Sequence, residues 1–313
     1  MDLKAKPSVP EIIAVIPIHN GLPYVLDAID SILSQRDSSF QLQVVVAACG
    51  STDSSVEVIQ KKFPEVIIAL GEDGLWWTGA MQLGSAKALE LGADYVFWMN
   101  HDDVLGPSTI SRLLQYCLKN VQTIACSVLA SPDGVSAVCG FRIHHLRWYS
   151  EPKVFSLKET QLSEFQLEVD VNGGHGILIP REVFGGPEKM GVLSPLLFPH
   201  YSGDFDFFMR ARRQNFKVVT VGGTYICNNP KTTGILQGQR IQKFSQIRSY
   251  LFSRRSPCNL RDRPLFAATH FPFPFKIIWP FILVIVPILC AVFYQFRRSK
   301  LGPLDWRPSA ADK

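Results

Sequence analysis

The chain reads as an α/β protein, a mixed sheet flanked by helices, with a helical, membrane-associated segment near its C-terminal end. Three observations lead there. Through about residue 130, short β-branched runs alternate with stretches of helical spacing, a pattern that predicts parallel strands covered by helices. From about 130 to 200 the pattern is less regular, with turn signals at Pro132-Asp133-Gly134 and Gly173-Gly174, which predicts a partly antiparallel remainder. Ile277 to Phe296 is an uncharged run, and about twenty such residues can cross the roughly 30 Å hydrocarbon layer as a helix.

Taken in order, Ile12 to Ile16 is an apolar strand closed by Pro17, and Leu22, Leu26, Ile29 and Leu33 then recur at helical spacing. Val44 to Ala48 is the next strand, Ser55 to Phe63 a helix, Val66 to Leu70 a strand, and Thr78 to Leu91 a helix with small residues. Tyr95 to Met99 reads as a buried strand. Pro107 to Asn120 follows as a helix with Pro near its first turn, where the missing N–H costs nothing. Ile124 to Val128 is a further strand. Val135 to Ile143 and Gly176 to Ile179 are shorter strand candidates. A helix is expected from Asp204 to Asn215, a strand over Lys217 to Val221, and a basic helix over Gln237 to Phe252. No internal repeat is visible.

Composition narrows the function. With 313 residues, 47% hydrophobic and 19% charged, the chain is too apolar for disorder and long enough for a large core. A net charge of +5 is well short of a dedicated nucleic-acid binder, so no nucleic-acid partner is expected. The basic residues concentrate toward the C-terminal end, which points to a membrane surface. The seven cysteines are scattered and form no CxxC, a usage that fits reduced thiols and a cytosolic catalytic compartment. Met1 to Glu11 carries charge and two prolines and lacks the regions of a signal peptide, so no export is expected. Around the apolar run, Lys276 lies on one side and Arg297, Arg298 and Lys300 on the other, so positive flanks do not choose an orientation. Pro280 and Pro287 either kink a spanning helix or bend the run into a re-entrant or interfacial wedge; a buried core helix is the remaining alternative.

Two segments are dense in chemistry. Asn100-His101-Asp102-Asp103 follows a buried strand, where ligands of open α/β sheets bind. Adjacent carboxylates there either hold a hard divalent cation or cap the next helix. Asp204 and Asp206 alternate with aromatics in Pro199 to Phe207, which suits either a general base tuned by burial or a helix N-cap. Trp76-Trp77-Thr78-Gly79-Ala80-Met81-Gln82 and Gly50-Ser51-Thr52-Asp53-Ser54 are further candidates, with plain loop chemistry as the alternative. His144, His145, His175 and His270 show no ligand spacing and read as structural.

The order of these pieces resembles the family 2 glycosyltransferases with the GT-A fold, a Rossmann-like mixed sheet flanked by helices. The resemblance covers about residues 12 to 255 and extends to the rhamnosyltransferase-like branch. Ile16-Pro17-Ile18-His19-Asn20 is similar to the family's IPxxN opening and Gly50-Ser51-Thr52-Asp53 to its GSTD turn. Leu75-Trp76-Trp77-Thr78-Gly79-Ala80 resembles the LWWxGA segment of the rhamnosyltransferase-like branch. Asn100-His101-Asp102-Asp103 stands at the DxD motif in its NxD form, and His200-Tyr201 to Asp206 resembles the HYxxDxE block.

The resemblance implies an inverting transfer of a sugar from a nucleotide-diphosphate donor, dTDP-rhamnose first and UDP-sugars next, to a glycan or lipid-linked acceptor in surface polysaccharide synthesis. The enzyme would work at the cytoplasmic face of the cell membrane with Mg²⁺ or Mn²⁺. It implies Asp204 as catalytic base. Pro17, His19, Asn20 and Asp53 would surround the nucleotide, with Trp77, Gly79, Gln82, Asn100 and Asp103 on the donor sugar and diphosphate. His200, Tyr201 and Asp206 would serve the acceptor, and Asp102, Asp103 and Asn228 the metal. Two departures stand out. Ala48-Cys49 precedes Gly50 where many relatives carry Asp, which leaves the nucleobase open, and Tyr225-Ile226-Cys227-Asn228-Asn229 offers an amide where relatives place a metal-binding His. A non-catalytic nucleotide- or glycan-binding subunit is the alternative from another class. A dehydrogenase or nucleotidyltransferase is disfavoured because no GxGxxG follows the first strand. The expected organisation is a catalytic domain over 1–235, with its nucleotide-sugar half about 12–130 and acceptor half about 131–235. A basic extension over 236–274, the apolar segment over 275–298 and a tail over 299–313 follow.

Overall fold

Seven consecutive buried residues make up most of β1 (Glu11–Ile18), because the strand is central and covered on both faces. It pairs in parallel with β2 (Gln41–Cys49) on one side and β4 (Tyr95–Trp98) on the other, and β3 (Ile67–Gly71) extends the sheet beyond β2, again in parallel. The computed structural model describes residues 9–130, 135–146, 149–156, 165–185, 193–228, 248–249, 251–256, 259–286 and 289. Helices α1 (Tyr24–Leu33), α2 (Ser55–Lys62), α3 (Trp76–Glu90) and α4 (Thr109–Lys119) follow β1, β2, β3 and a short β5 (Asp103–Leu105). Their apolar stripes fall at helical spacing: Val25, Ala28, Ile29 and Ile32 on α1, and Ile110, Leu113, Leu114 and Cys117 on α4, are buried. Both stripes join the core that holds Ile12, Ile16, Val44 and Phe97.

Past β4 the sheet changes direction. Its order is β3-β2-β1-β4-β10-β6-β11-β5, with β10 (Ile177–Pro180) antiparallel between β4 and β6 (Thr123–Ala130). β11 (Lys217–Asn228) runs parallel to β6 and carries β5 antiparallel at one end and β9 (Gln166–Val169) at the other. A hairpin of β7 (Ser136–His144) and β8 (Tyr149–Ser156) leaves β6. A 3-10 turn, Arg181–Phe184, follows β10, and α5 (Gly203–Arg213) precedes β11. The expected alternation and the partly antiparallel second half are both present. β11 extends beyond the expected Lys217 to Val221 by way of a register shift between Thr220 and Tyr225, where Gly223 takes φ +73°.

The chain divides into two compact units, Met1–Thr232 and Thr233–Lys313. In the second, α6 (Asp262–His270) is a helix that the sequence pattern does not announce, and residues 275–286 are helical. The expected spanning helix is corrected on one point: among the described residues no helix is long and apolar enough to cross a membrane. The helical stretch described over 275–286 is about 18 Å long, and much of the remaining run to Phe296 lies outside the described residues. So do most of the basic helix expected over Gln237 to Phe252 and the tail.

Candidate functional site

The carboxyl ends of β1, β2 and β4 lie at one margin of the sheet, the position where open α/β sheets collect their ligands. β10 runs the opposite way, with Ile177 opposite Trp98. Two residues further out, the same register sets His175 beside Asn100. The imidazole Nδ1 lies 2.9 and 3.0 Å from the two oxygens of Asp103. An ionised carboxylate only accepts, so Nδ1 carries the proton and donates. β5 and β11 add a second approach through the register Asn228 to Asp103. The Asn228 amide donates to Asp103 Oδ1 at 2.7 Å, and the Asn100 backbone N–H donates to Oδ2 at 2.9 Å. Asp103 is wholly buried with three donors around it. Burial disfavours a charged His175, but the negative charges of Asp103, Asp102 and Asp204 and the Asp103 hydrogen bond outweigh it, and its pKa is pushed up to about 9.

Asn100 also anchors α3. Its Oδ1 accepts from Trp77 Nε1 at 2.7 Å, while its amide nitrogen lies 3.2 Å from His175 Nδ1, a packing contact given that both carry protons. The Trp77 ring lies edge-on to Trp98 at 6.1 Å and covers Gly174, where any side chain would collide with the indole. Its neighbour Trp76, the first residue of α3, has φ +55°, a strained setting for a bulky residue. The first turn of α3 is pinned from the other half of the domain: Thr78 N–H donates to Pro199 O at 3.0 Å, and Gly203 backs closely onto the Thr78 hydroxyl. The segment Pro199-His200-Tyr201 is thereby held on α3, with the His200 ring 5.8 Å from Trp76 and 5.0 Å from Tyr201.

Asp204 lies in the first turn of α5 behind Ser202, which takes φ +66°. Its Oδ1 accepts from the Phe205 N–H at 2.8 Å. Burial raises its pKa to about 6 against the opposing pull of that bond, the His175 charge and the Gly174 N–H. A carboxyl so placed is ionised at neutral pH yet basic enough to take a proton.

Several expected residues sit elsewhere than their motifs imply. Asp206 is wholly buried and paired to Arg210 Nε at 3.0 Å one turn on, so it braces α5 and does not face an acceptor. Pro17 is buried within β1 and Gly79 within α3 beneath Leu75, so neither lines a cleft. Asp53 spends both oxygens on the chain: Oδ2 accepts from Leu22 N–H at 3.0 Å and Oδ1 from the Ser55 N–H and hydroxyl. Burial opposes its ionisation, but these bonds prevail and hold its pKa below the usual range. Asn20 closes the same loop pair, accepting from Thr52 N–H at 2.7 Å, and His19 Nδ1 donates to Cys49 O at 2.8 Å. His19 and Asn20 are exposed and Gln82 is half-buried. His144 pairs with Glu151 at 2.9 Å, a structural contact as expected. His175 overturns the same expectation by lying inside the site.

The helix-cap reading of the acidic pair also fails, because Asp103 belongs to β5 and α4 begins only at Thr109, with Ser108 as its N-cap. For a metal the donor set is lean: among the described residues no group of three His, Cys, Asp or Glu side chains is arranged to hold one. Asp103 has hydrogen bonds on both oxygens, and the Asn228 amide N–H is turned toward it. Asp102, nearly buried at 5% exposure, remains the carboxylate to hold one. Such a set fits Mg²⁺ or Mn²⁺, which take one or two carboxylates and complete their shells with phosphate and water oxygens.

The loop 173–176 invites a test of its own. Gly176 has φ +63°, and a side-chain carbon there would fall onto the Ser127 hydroxyl and Ile226. A left-handed setting costs a side-chain-bearing residue about 1–2 kcal/mol before any crowding. Gly176→Ala is therefore expected to lower stability by at least about 2 kcal/mol, measured by urea unfolding.

Residues 13–185 match the model of Glycosyl transferase family 2. Over 214 residues the chain is 25% identical to an uncharacterized glycosyltransferase of Rickettsia typhi, covering 65% of this chain and 59% of that protein. Over 140 residues it is 29% identical to the hyaluronan synthase of Pasteurella multocida, covering 42% of this chain and 14% of the synthase. The chain thus spans less than two thirds of the length of these relatives. GalNAc-T7, solved with UDP, GalNAc and Mn²⁺, shares the fold at a TM-score of 0.57 and 13% identity, over 87% of this chain and 53% of that one. Mannosyltransferase PcManGT from Pyrobaculum calidifontis, solved with GDP-Man and Mn²⁺, does so at 0.54 and 14% identity, over 95% and 77%.

Proposed function

The chain belongs to glycosyl transferase family 2 and has a GT-A-like mixed α/β fold; from that premise we propose that it is an inverting, metal-dependent glycosyltransferase. Its donor would be a nucleotide-diphosphate sugar, dTDP-rhamnose or a UDP-sugar, and its acceptor a glycan or lipid-linked glycan in surface polysaccharide synthesis. The observation that carries the reading is the meeting of the motif segments: the stretch that leads from Pro199 to Asp204 is held on α3 by the Thr78 N–H, and Trp77 of the same helix donates to Asn100 of the turn that carries Asp102 and Asp103. The Trp segment supports membership of the rhamnosyltransferase-like branch. The catalytic domain would occupy 1–235, with donor residues in its first half and acceptor residues in its second.

In this mechanism Asp204 accepts the proton of an acceptor hydroxyl as that oxygen attacks the anomeric carbon from the face opposite the diphosphate. The new C–O bond forms as the bond to the diphosphate oxygen breaks, so the anomeric configuration inverts. His200 and Tyr201 hold the acceptor beside Asp204. Trp77 and Gln82 flank the sugar and diphosphate, and His19 and Asn20 the nucleotide. Asp102, on the turn that the bonds of Asp103 fix, would hold the divalent cation, which when bound offsets the charge of the leaving group. The experiment is release of nucleoside diphosphate from dTDP-, UDP- and GDP-sugars with Mg²⁺ or Mn²⁺ in membranes containing native acceptor. Metal-dependent turnover of one donor is expected. No turnover, with donor still bound in calorimetry, would favour the non-catalytic binding subunit, a reading supported by the lean donor set.

The proposal extends to location, the cytoplasmic face of the cell membrane. In its support, the helix over 275–286 exposes Ile277, Ile278, Phe281, Ile282 and Ile285, an apolar face that water disfavours. Lys276 and, upstream, Arg254, Arg255, Arg261 and Arg263 supply charge that suits anionic head groups. The full chain should float with phosphatidylglycerol vesicles, and Phe281→Asp with Ile285→Asp should weaken that binding at least about tenfold, since each buried apolar side chain is worth about 1.5–3 kcal/mol.

A further inference from the structure

The geometry points to His175 as a positioning residue of this site, one that clamps Asp103 through its Nδ1–H and so fixes the Asn100–Asp103 turn that carries Asp102 and anchors Trp77. The inference rests on the proposed transferase reading and deepens it.

The argument begins with how the loop reaches the cluster. Gly174 lies against the Trp77 ring, and Gly176 lies against Ser127, whose N–H donates to the Gly176 carbonyl at 2.8 Å. Glycine on both sides lets the backbone approach two elements at once, and the register between β10 and β4 delivers the one side chain between them to Asn100. Asp103 is wholly buried while the His175 side chain is 18% exposed. Burying such a pair costs more than burying apolar residues of the same volume unless its bonds are well made, and core packing alone asks for no imidazole here. The bonds are well made: Asp103 receives His175, Asn228 and the Asn100 N–H from three directions. Asn100, held by its N–H to Asp103, in turn accepts from Trp77 at 2.7 Å. His175 thus acts through its neighbours, and no contact of its own with substrate is needed.

The test uses the full chain with His175→Asn, His175→Gln and His175→Ala. The amide nitrogen of Asn falls near the place of imidazole Nδ1, whereas that of Gln extends to the place of Nε2, so only Asn keeps a donor on Asp103. Binding of UDP and dTDP with Mn²⁺ is measured by calorimetry, and melting temperature alongside. Partners that orient a site in this way are worth about 10- to 100-fold in affinity or activity. Gln and Ala are accordingly expected to weaken nucleotide binding by about that factor, with Asn within about threefold of wild type. Equal losses in Asn and Gln, or losses that follow melting temperature across all three, would mean that the ring only fills space and overturn the inference alone. A wild-type chain that binds neither nucleotide would overturn the transferase reading and this inference with it.

Discussion

Asp204→Asn is expected to remove sugar transfer, with a fall in kcat of at least about a thousandfold, and to leave the protein folded. A positioned general base contributes about 10²- to 10⁴-fold, and an amide at this position takes no proton. The wild-type pH profile carries the same information. Because burial raises the Asp204 carboxyl to about 6, kcat/KM should rise as pH increases through about 6 and level off above it, since only the ionised form acts as a base. Stability should move the other way. A carboxyl whose folded pKa lies above its ordinary 3.8 burdens the folded state when ionised: the burden is absent below about 3.8, grows as pH rises, and is complete above about 6. Asp204→Asn relieves it, so the variant should match or exceed wild-type stability at pH 7, by no more than about 3 kcal/mol, and lose that margin at pH 4. Denaturant melts at the two pH values decide the matter. A variant that is inactive because it is misfolded would show the reverse.

Asp103→Ala is expected to fail differently, losing activity and stability together. The substitution leaves His175, the Asn228 amide and the Asn100 N–H around a buried space with nothing to accept from them. Breaking a buried charged pair from one side costs about 3–5 kcal/mol, a large share of the stability of an ordinary domain. Urea unfolding should show a loss of this size, and nucleoside diphosphate release should be undetectable. Asp103→Asn, which keeps the shape and one acceptor oxygen, should fall between Ala and wild type in stability. If Asp103→Ala were as stable as wild type, the three hydrogen bonds would not be formed in solution.

The two variants show what could be read ahead of the structure. The first four strands and four principal helices were legible because each writes its period locally, as in the β-branched run of β1 and the apolar stripe of α4. β5, β8 and β9 were not: three or four residues in β5 and β9 hold no period, and β8, with Glu151, Pro152 and Lys153 at its centre, lacks the composition of a strand. Asp204 stands out by its motif, and its buried environment suits the proposed role. Asp206, Pro17 and Gly79 were assigned by the same matching, but a motif reports place in a chain and not burial. His175 is not announced because its partners, Asn100 just past β4 and Asp103 on β5, lie more than seventy residues away in the chain and meet it only once β10 pairs antiparallel with β4. Its one local signal was a polar residue amid Gly173, Gly174 and Gly176 just before a strand.

The insertion of β10 between β4 and β6 also bears on how the protein is made. As the chain leaves the ribosome, β4 and β6 are complete some fifty residues before the strand that joins them, and β11, which covers the other edge of β6, comes later still. Until then the open edges are templates for wrong pairing, and the late, long-range closure makes for slow folding. The cluster around Asp103 draws on β10 for His175 and on the last residue of β11 for Asn228. A nascent chain that stalls before Asn228 therefore holds the family's opening motifs but lacks one of the three donors that surround Asp103.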